Sequence, residues 1–122
     1  MRKELIIAVI ILAAGSTAIA GEIYKCTSYC SCQYCTNKKK SNKHYGITAS
    51  GEKVREGIVA CNHLEFGQVI EIKGLGEFVV ADRGSNKYFG SKKHKKLSLD
   101  VYKPTHQEAL EFGVQYREVV IK

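Results

Sequence analysis

Acidic residues are scarce in this 122-residue chain: 12 Asp and Glu stand against 19 Lys and Arg, for a net charge of +7. A surplus of that sign suits an anionic polymer as partner. Proline occurs once, at Pro104, and there is no internal repeat. The lysine-rich stretches are too short to be low-complexity domains, so repeat arrays and proline-rich spacers are excluded. Long apolar runs are also missing. The longest, Leu5 to Ala14, has ten residues, whereas a spanning helix needs roughly 17–25. The four histidines share no metal-ligand spacing, and the sequence assigns no metal to them.

The N-terminus is laid out for export. Arg2 and Lys3 precede the apolar run, and Ala18-Ile19-Ala20 has the small-x-small pattern of a cleavage site. Residues 1–20 therefore read as a secretory signal peptide cut after Ala20. The alternative is an uncleaved N-terminal anchor, the one route by which this chain would meet a membrane. Residues 21–122 are enough for one domain with one core and too few for two. Without Arg2, Lys3 and Glu4 they keep a net charge of about +6. Export to the periplasm or the cell exterior, at the wall, argues against nucleic acid and for an anionic surface polymer.

Alternation and β-forming residues mark strands over 22–29, 57–61, 68–73, 77–81, 97–101 and 116–121. Gly74-Leu75-Gly76 reads as a hairpin turn. Residues 30–44 and 83–96 read as polar, lysine-bearing loops. One helix is expected over 105–112, with Thr105 as N-cap, Glu108 three residues on, and Gly113 as its stop. Pro104 just before the cap removes no helical hydrogen bond. Short strands with one short helix predict a mainly β fold, a small closed barrel.

Cys26, Cys30, Cys32 and Cys35 cluster, and Cys61 stands apart. In an oxidising compartment the simplest expectation is two disulfides and one free thiol, with pairing unreadable from sequence. The rival is a structural zinc site of four thiolates, although the spacing does not match paired C-x2-C knuckles. A nucleophilic cysteine is a third reading, with His63 two residues from Cys61.

Two aspartates carry the chemistry. Asp82 ends the apolar run Val79-Val80-Ala81, and Asp100 sits inside Leu97-Ser98-Leu99-Asp100-Val101. A strand burying apolar residues has no structural need of a carboxylate there. Desolvation raises such a carboxyl's pKa, and a second acid nearby raises one of the two further. That produces a general acid usable near neutral pH. The structural alternatives are an Asx-turn at Asp82 and an ion pair of Asp100 with Arg83 or a lysine.

Several motifs occur together in one order. Thr27-Ser28-Tyr29 precedes Cys30-x-Cys32-x2-Cys35. Tyr45-Gly46-Ile47-Thr48-Ala49-Ser50-Gly51, Asp82-Arg83-Gly84, Leu99-Asp100-Val101 and Thr105 to Gly113 follow. Over residues 24–121 this series resembles the three-aspartate (3D) domain, which is similar to the catalytic barrel of MltA-type lytic transglycosylases. The resemblance implies a double-psi β-barrel that cleaves peptidoglycan glycan strands without a cofactor. It implies Asp100 as the main acid/base and Asp82 as its partner. The position of the family's third aspartate is Asn62 here, so two of three acids are kept. A lysine-rich insert, Ser91 to Lys96, is a second departure. Asn62, Tyr29, Tyr45, Thr48 and Ser50 are the implied substrate-binding residues, the tyrosines by stacking on sugar rings.

The expectation is thus an exported peptidoglycan lytic transglycosylase. A catalytically silent wall-binding barrel and a phage-type lysis protein with a releasable N-terminal anchor are its rivals.

Overall fold

A computed structural model describes residues 21–122; the expected signal peptide, residues 1–20, lies outside the described residues. The chain runs β1 (Glu22–Tyr29), α1 (Gln33–Thr36), β2 (Ile58–Ala60), β3 (Val69–Ile72), β4 (Gly76–Asp82), α2 (Asn86–Phe89), β5 (Ser98–Tyr102), α3 (His106–Phe112) and β6 (Gln115–Ile121). The six strands close into a barrel in the order β1-β5-β2-β4-β3-β6. The mainly β barrel expected from the strand pattern is therefore present. Among the described residues no helix is long and apolar enough to cross a membrane.

Closure follows from the alternation of side chains. Tyr24, Cys26, Val59, Ile70, Ile72, Val80, Leu99, Val101 and Val119 form one buried cluster drawn from all six strands. Each strand thus supplies one or two inward residues, which suits an interior filled by side chains. The two hydrogen-bonded edges of an open sheet are removed by the same closure. A second cluster of Tyr29, Ile58, Ala60, Ala81 and Tyr102 packs apart from the first.

Pairing is mixed. β1 runs parallel to β5, and β2 parallel to β4. The β2–β5, β3–β4, β3–β6 and β1–β6 pairs are antiparallel. β3 and β4 form the expected hairpin, closed by Leu75 N–H to Ile72 O at 2.9 Å.

α3 begins as its sequence requires. The Thr105 hydroxyl accepts from Glu108 N–H, and Gly113 ends the helix with φ 64°. Two further helices, α1 and α2, lie inside segments expected to be loops. Each has four residues and buries no side chain fully. One turn is too short to show a helical hydrophobic period, and α1 has no side-chain cap at its N-terminus. At α2 the Ser85 hydroxyl accepts from Lys87 N–H.

Candidate active site

Strand register brings the two aspartates together. Ala60 of β2 is level with Asp100 of β5 on one side and with Asp82 of β4 on the other. Thr27 of β1 is level with Asp100 in turn. A row Thr27–Asp100–Ala60–Asp82 therefore crosses four neighbouring strands. Inter-strand spacings of about 4.8 Å put the two aspartate backbones roughly 10 Å apart. The small Ala60 leaves the space between their side chains open.

A bulge makes this row. Ile58 pairs with Val79 and Val59 with Val80, but Ala60 then pairs with Asp82 and skips Ala81. Regular pairing would set Ala81 beside Ala60 and move Asp82 off the row, because one residue of slip reverses which face a side chain takes.

The cleft above the row holds about 470 Å³ and is walled by Tyr29, Cys35, Thr36, Lys38, Arg83 to Ser85, Tyr88 and Phe89. Asp82 and Lys38 also face a neighbouring depression of about 370 Å³ that includes Thr48 and Ala49. Tyr88 and Phe89 are shared with a third, of about 440 Å³, lined by Lys25, Thr27, Lys87, Lys96 and Ser98. The cleft thus shares wall residues with each of the other two hollows and is the one lined by both aspartates.

The carboxylates differ in their surroundings. Asp82 accepts from three donors: Tyr29 O–H at 2.7 Å on Oδ2, and the backbone N–H groups of Ala49 at 2.8 Å and Arg83 at 2.9 Å on Oδ1. Asp100 receives one side-chain hydrogen bond, from Thr27 Oγ1 to Oδ1 at 3.0 Å. Burial pushes the Asp100 carboxyl up to about 6, the Thr27 hydroxyl pulls it down, and the charge of Asp82 pushes it further up. Among the described residues neither aspartate has an ion-pair partner. Arg83 is turned away from Asp100: its guanidinium donates to Cys61 O at 2.6 Å and lies 3.9 Å over the Phe66 ring.

Of the residues expected to touch substrate, Tyr29 lines the cleft, but its ring is buried and its hydroxyl holds Asp82. Thr48 is buried, with its hydroxyl 2.8 Å from that of Ser50, in the loop whose Ala49 N–H reaches Asp82. Tyr45 lines a separate depression with Cys32, Gln33 and Lys38 to Ser41. Asn62 is buried and its amide is fully engaged. Nδ2 donates to Gly84 O at 2.9 Å, Gly90 O at 2.8 Å and Asn86 Oδ1 at 3.2 Å, while Oδ1 accepts from Gly84 N–H at 2.9 Å. It fastens the 84–90 loop to the end of β2. A carboxylate there would turn acceptor lone pairs onto two carbonyl oxygens, which explains an amide at this place. The same loop needs glycine at Gly84, where a Cβ would run into the Phe89 ring, and at Gly90, where φ is +71°.

The sequence gives Lys38, Tyr88 and Phe89 no part in the site and marks Thr27 only as a member of its motif. Lys38 Nζ donates to His44 O at 2.8 Å and Ile47 O at 3.1 Å, tying the lysine-rich loop to the one that carries Ala49. Thr27 becomes legible only once β1 is known to run parallel to β5.

The disulfide expectation is corrected. All five cysteines are free. Cys26 and Cys61 are buried in the barrel interior, facing the core rather than the rim. Burial raises both thiols, Cys26 to about 11, and a fully covered Cys61 is unsuited to nucleophilic work. His63 meets Tyr24 O–H at 2.9 Å through Nε2 instead. On the rim, the Cys30 and Cys35 sulfurs are 3.6 Å apart, against about 2.05 Å for a bonded pair. Cys30, Cys32 and Cys35 instead converge with His106, the first residue of α3, as a group able to hold a metal ion. Sequence spacing joins the three cysteines but gives no sign of a histidine seventy residues downstream.

No family model matches the chain, and no curated protein matches it either.

Proposed function

We propose that this protein is a peptidoglycan lytic transglycosylase with Asp100 as its general acid and base. The observation that carries the reading is the Asp100 carboxyl itself. It is raised to about 6 by burial, bonded by a single hydroxyl, and lines a cleft that shares wall residues with two further hollows. A carboxyl in that state is protonated in a useful fraction near neutral pH and can give up its proton. The resemblance of the motifs around Asp82, Asp100 and residues 45–51 to the 3D domain supports the same reading, as does the exported layout of the N-terminus.

Ordinary glycosidases need two carboxylates, one of them to deliver water or form a covalent intermediate. Lytic transglycosylases need less. The C6 hydroxyl of the muramic sugar attacks its own C1 and closes a 1,6-anhydro ring. Asp100 donates its proton to the departing glycosidic oxygen and then takes one from the C6 hydroxyl. Asp82 is positioned by three donors, and its charge favours the protonated form of Asp100. Tyr29 positions Asp82, and Ala60 leaves room for the sugar. Exposed Tyr88, on the ridge between two hollows, offers an aromatic face to a glycan ring.

A second reading is a wall-binding barrel without catalysis. Lys25, Lys87 and Lys96 around one hollow favour it, since they suit an anionic glycan polymer. Mass spectrometry of peptidoglycan treated with the protein separates the two. Anhydro-muropeptides made by the parent and not by Asp100→Asn are expected. Reducing-end products would mean hydrolysis, and wall binding with no products would leave the binding barrel.

A further inference from the structure

We propose that Cys30, Cys32, Cys35 and His106 form a structural zinc site that fastens the rim of the cleft. The three sulfurs surround a single imidazole nitrogen. His106 Nδ1 is 3.9 Å from the Cys30 sulfur, 3.3 Å from Cys32 and 3.5 Å from Cys35. One ring nitrogen donates or accepts a single hydrogen bond, so hydrogen bonding cannot account for three such approaches. A tetrahedral ion can. Zinc–sulfur bonds of about 2.3 Å and a zinc–nitrogen bond of about 2.0–2.1 Å set ligand edges of roughly 3.7–3.8 Å between sulfurs and 3.5–3.6 Å between sulfur and nitrogen. The 3.6 Å Cys30–Cys35 separation and the three sulfur–nitrogen distances scatter about those edges.

The local backbone presents the ligands. Cys30 follows the last residue of β1, Cys32 is the N-cap of α1, Cys35 lies within that turn, and His106 opens α3. Cys32 N–H points at the Cys30 sulfur at 3.4 Å, a contact that supports a thiolate. Three thiolates and an imidazole select zinc among common divalent ions, and four protein ligands leave no open position for chemistry. Binding releases the thiol protons to solvent.

The segment also needs such a fastening. α1 buries no residue fully, and the stretch that follows carries Lys38, Lys39, Lys40 and Lys43. It has too little apolar surface to hold itself on the barrel. Cys35, Thr36 and Lys38 nevertheless wall the aspartate cleft, and Lys38 anchors the loop that brings Ala49 N–H to Asp82. An ion joining α1 to α3 would fix that wall whatever the barrel binds.

The test is metal analysis of the full chain purified under reducing conditions with zinc and then freed of excess ion. About one zinc per chain is expected. Cobalt exchanged into the site should give the strong ligand-field and thiolate charge-transfer absorption of a tetrahedral three-sulfur, one-nitrogen set. His106→Ala and Cys32→Ser should each lose stoichiometric metal. If those variants do not fold, the cobalt spectrum of the unaltered chain still reads the ligand set. Absence of metal, an octahedral cobalt spectrum, or a disulfide among Cys30, Cys32 and Cys35 in chain freshly isolated without reductant would overturn the proposal.

Discussion

Asp82 and Asp100 stand on the two strands that flank β2, both level with Ala60, yet they occupy opposite electrostatic settings. On the β4 side a loop amide, a neighbouring amide and a tyrosine hydroxyl all point at the carboxylate. On the β5 side burial is matched by one threonine hydroxyl. Donors around a carboxylate favour its charged form, and dry surroundings favour the neutral one. Two residues of one type on one barrel face are thus separated into a thrice-bonded partner and a proton carrier by the donors that β1 and the neighbouring loop turn toward them.

The most direct way to break this comparison is to neutralise each acid in turn. Under the proposed function, Asp100→Asn should lower the rate of anhydro-muropeptide formation about 10²–10⁴-fold. Asp82→Asn should lower it less, since its part is to bias Asp100. A larger loss at Asp82 would reverse the roles. Stability should move the other way. The folded carboxyl of Asp100 is raised from 3.8 to about 6, so its contribution is fully present below pH 3.8 and is lost as pH rises through 6. Asp100→Asn removes that loss. Denaturant unfolding should find the variant more stable than the parent at pH 7, by up to about 3 kcal/mol, and the gain should vanish near pH 3.5.

A third carboxylate would sharpen the comparison, and Asn62 is where to put it. Asn62→Asp replaces a donor facing Gly84 O and Gly90 O with an acceptor. Burying a carboxylate against two carbonyls should cost on the order of 3 kcal/mol in chemical denaturation. It should also loosen the loop that carries Tyr88 and Phe89. A neutral outcome would mean that the loop is not held by this amide.

Much of this was legible beforehand, and the failures have physical causes. β1 was readable to the residue from its β-forming composition, although only Tyr24 to Cys26 alternate cleanly in burial, and Thr105 and Gly113 bounded α3. Asp82 and Asp100 stood out because each interrupts apolar strand sequence. The bulge after Val59 was invisible, since it depends on how β2 meets β4 and not on composition. The role of Asn62 was equally hidden, because its partners are backbone atoms of a loop more than twenty residues away. His106 showed no metal-ligand spacing because only the barrel's closure brings α3 beside β1. Counting cysteines against the redox compartment suggested bridges, whereas the rim turns aim three sulfurs at one ring.

Smaller changes test the donors themselves. Tyr29→Phe leaves Asp82 its two backbone N–H bonds and removes the third. A hydrogen bond to a charged group contributes about 1.5–3 kcal/mol, and the lower end applies because the cleft admits water to the vacated oxygen. Thermal or denaturant unfolding would measure it, and no change would mean that Tyr29 serves only as wall.

The smallest and most selective change is Thr27→Val. The substitution keeps the shape of the side chain in β1 and deletes the one hydroxyl that reaches Asp100, which also lies 3.3 Å from Leu99 O. That hydroxyl pulls the Asp100 carboxyl down against burial and the charge of Asp82. Without it the proton is held more tightly. Under the proposed mechanism the alkaline limb of the pH–rate profile, set by loss of the proton from Asp100, should move upward from about 6. A charged hydrogen bond of about 1.5 kcal/mol corresponds to roughly one pH unit. The fold should lose little, because the β1–β5 backbone pairing does not depend on the hydroxyl. A merely structural threonine would lower the whole profile without moving its limb. A limb that shifts while its height is kept would identify Thr27 as the residue that sets the working pH of Asp100.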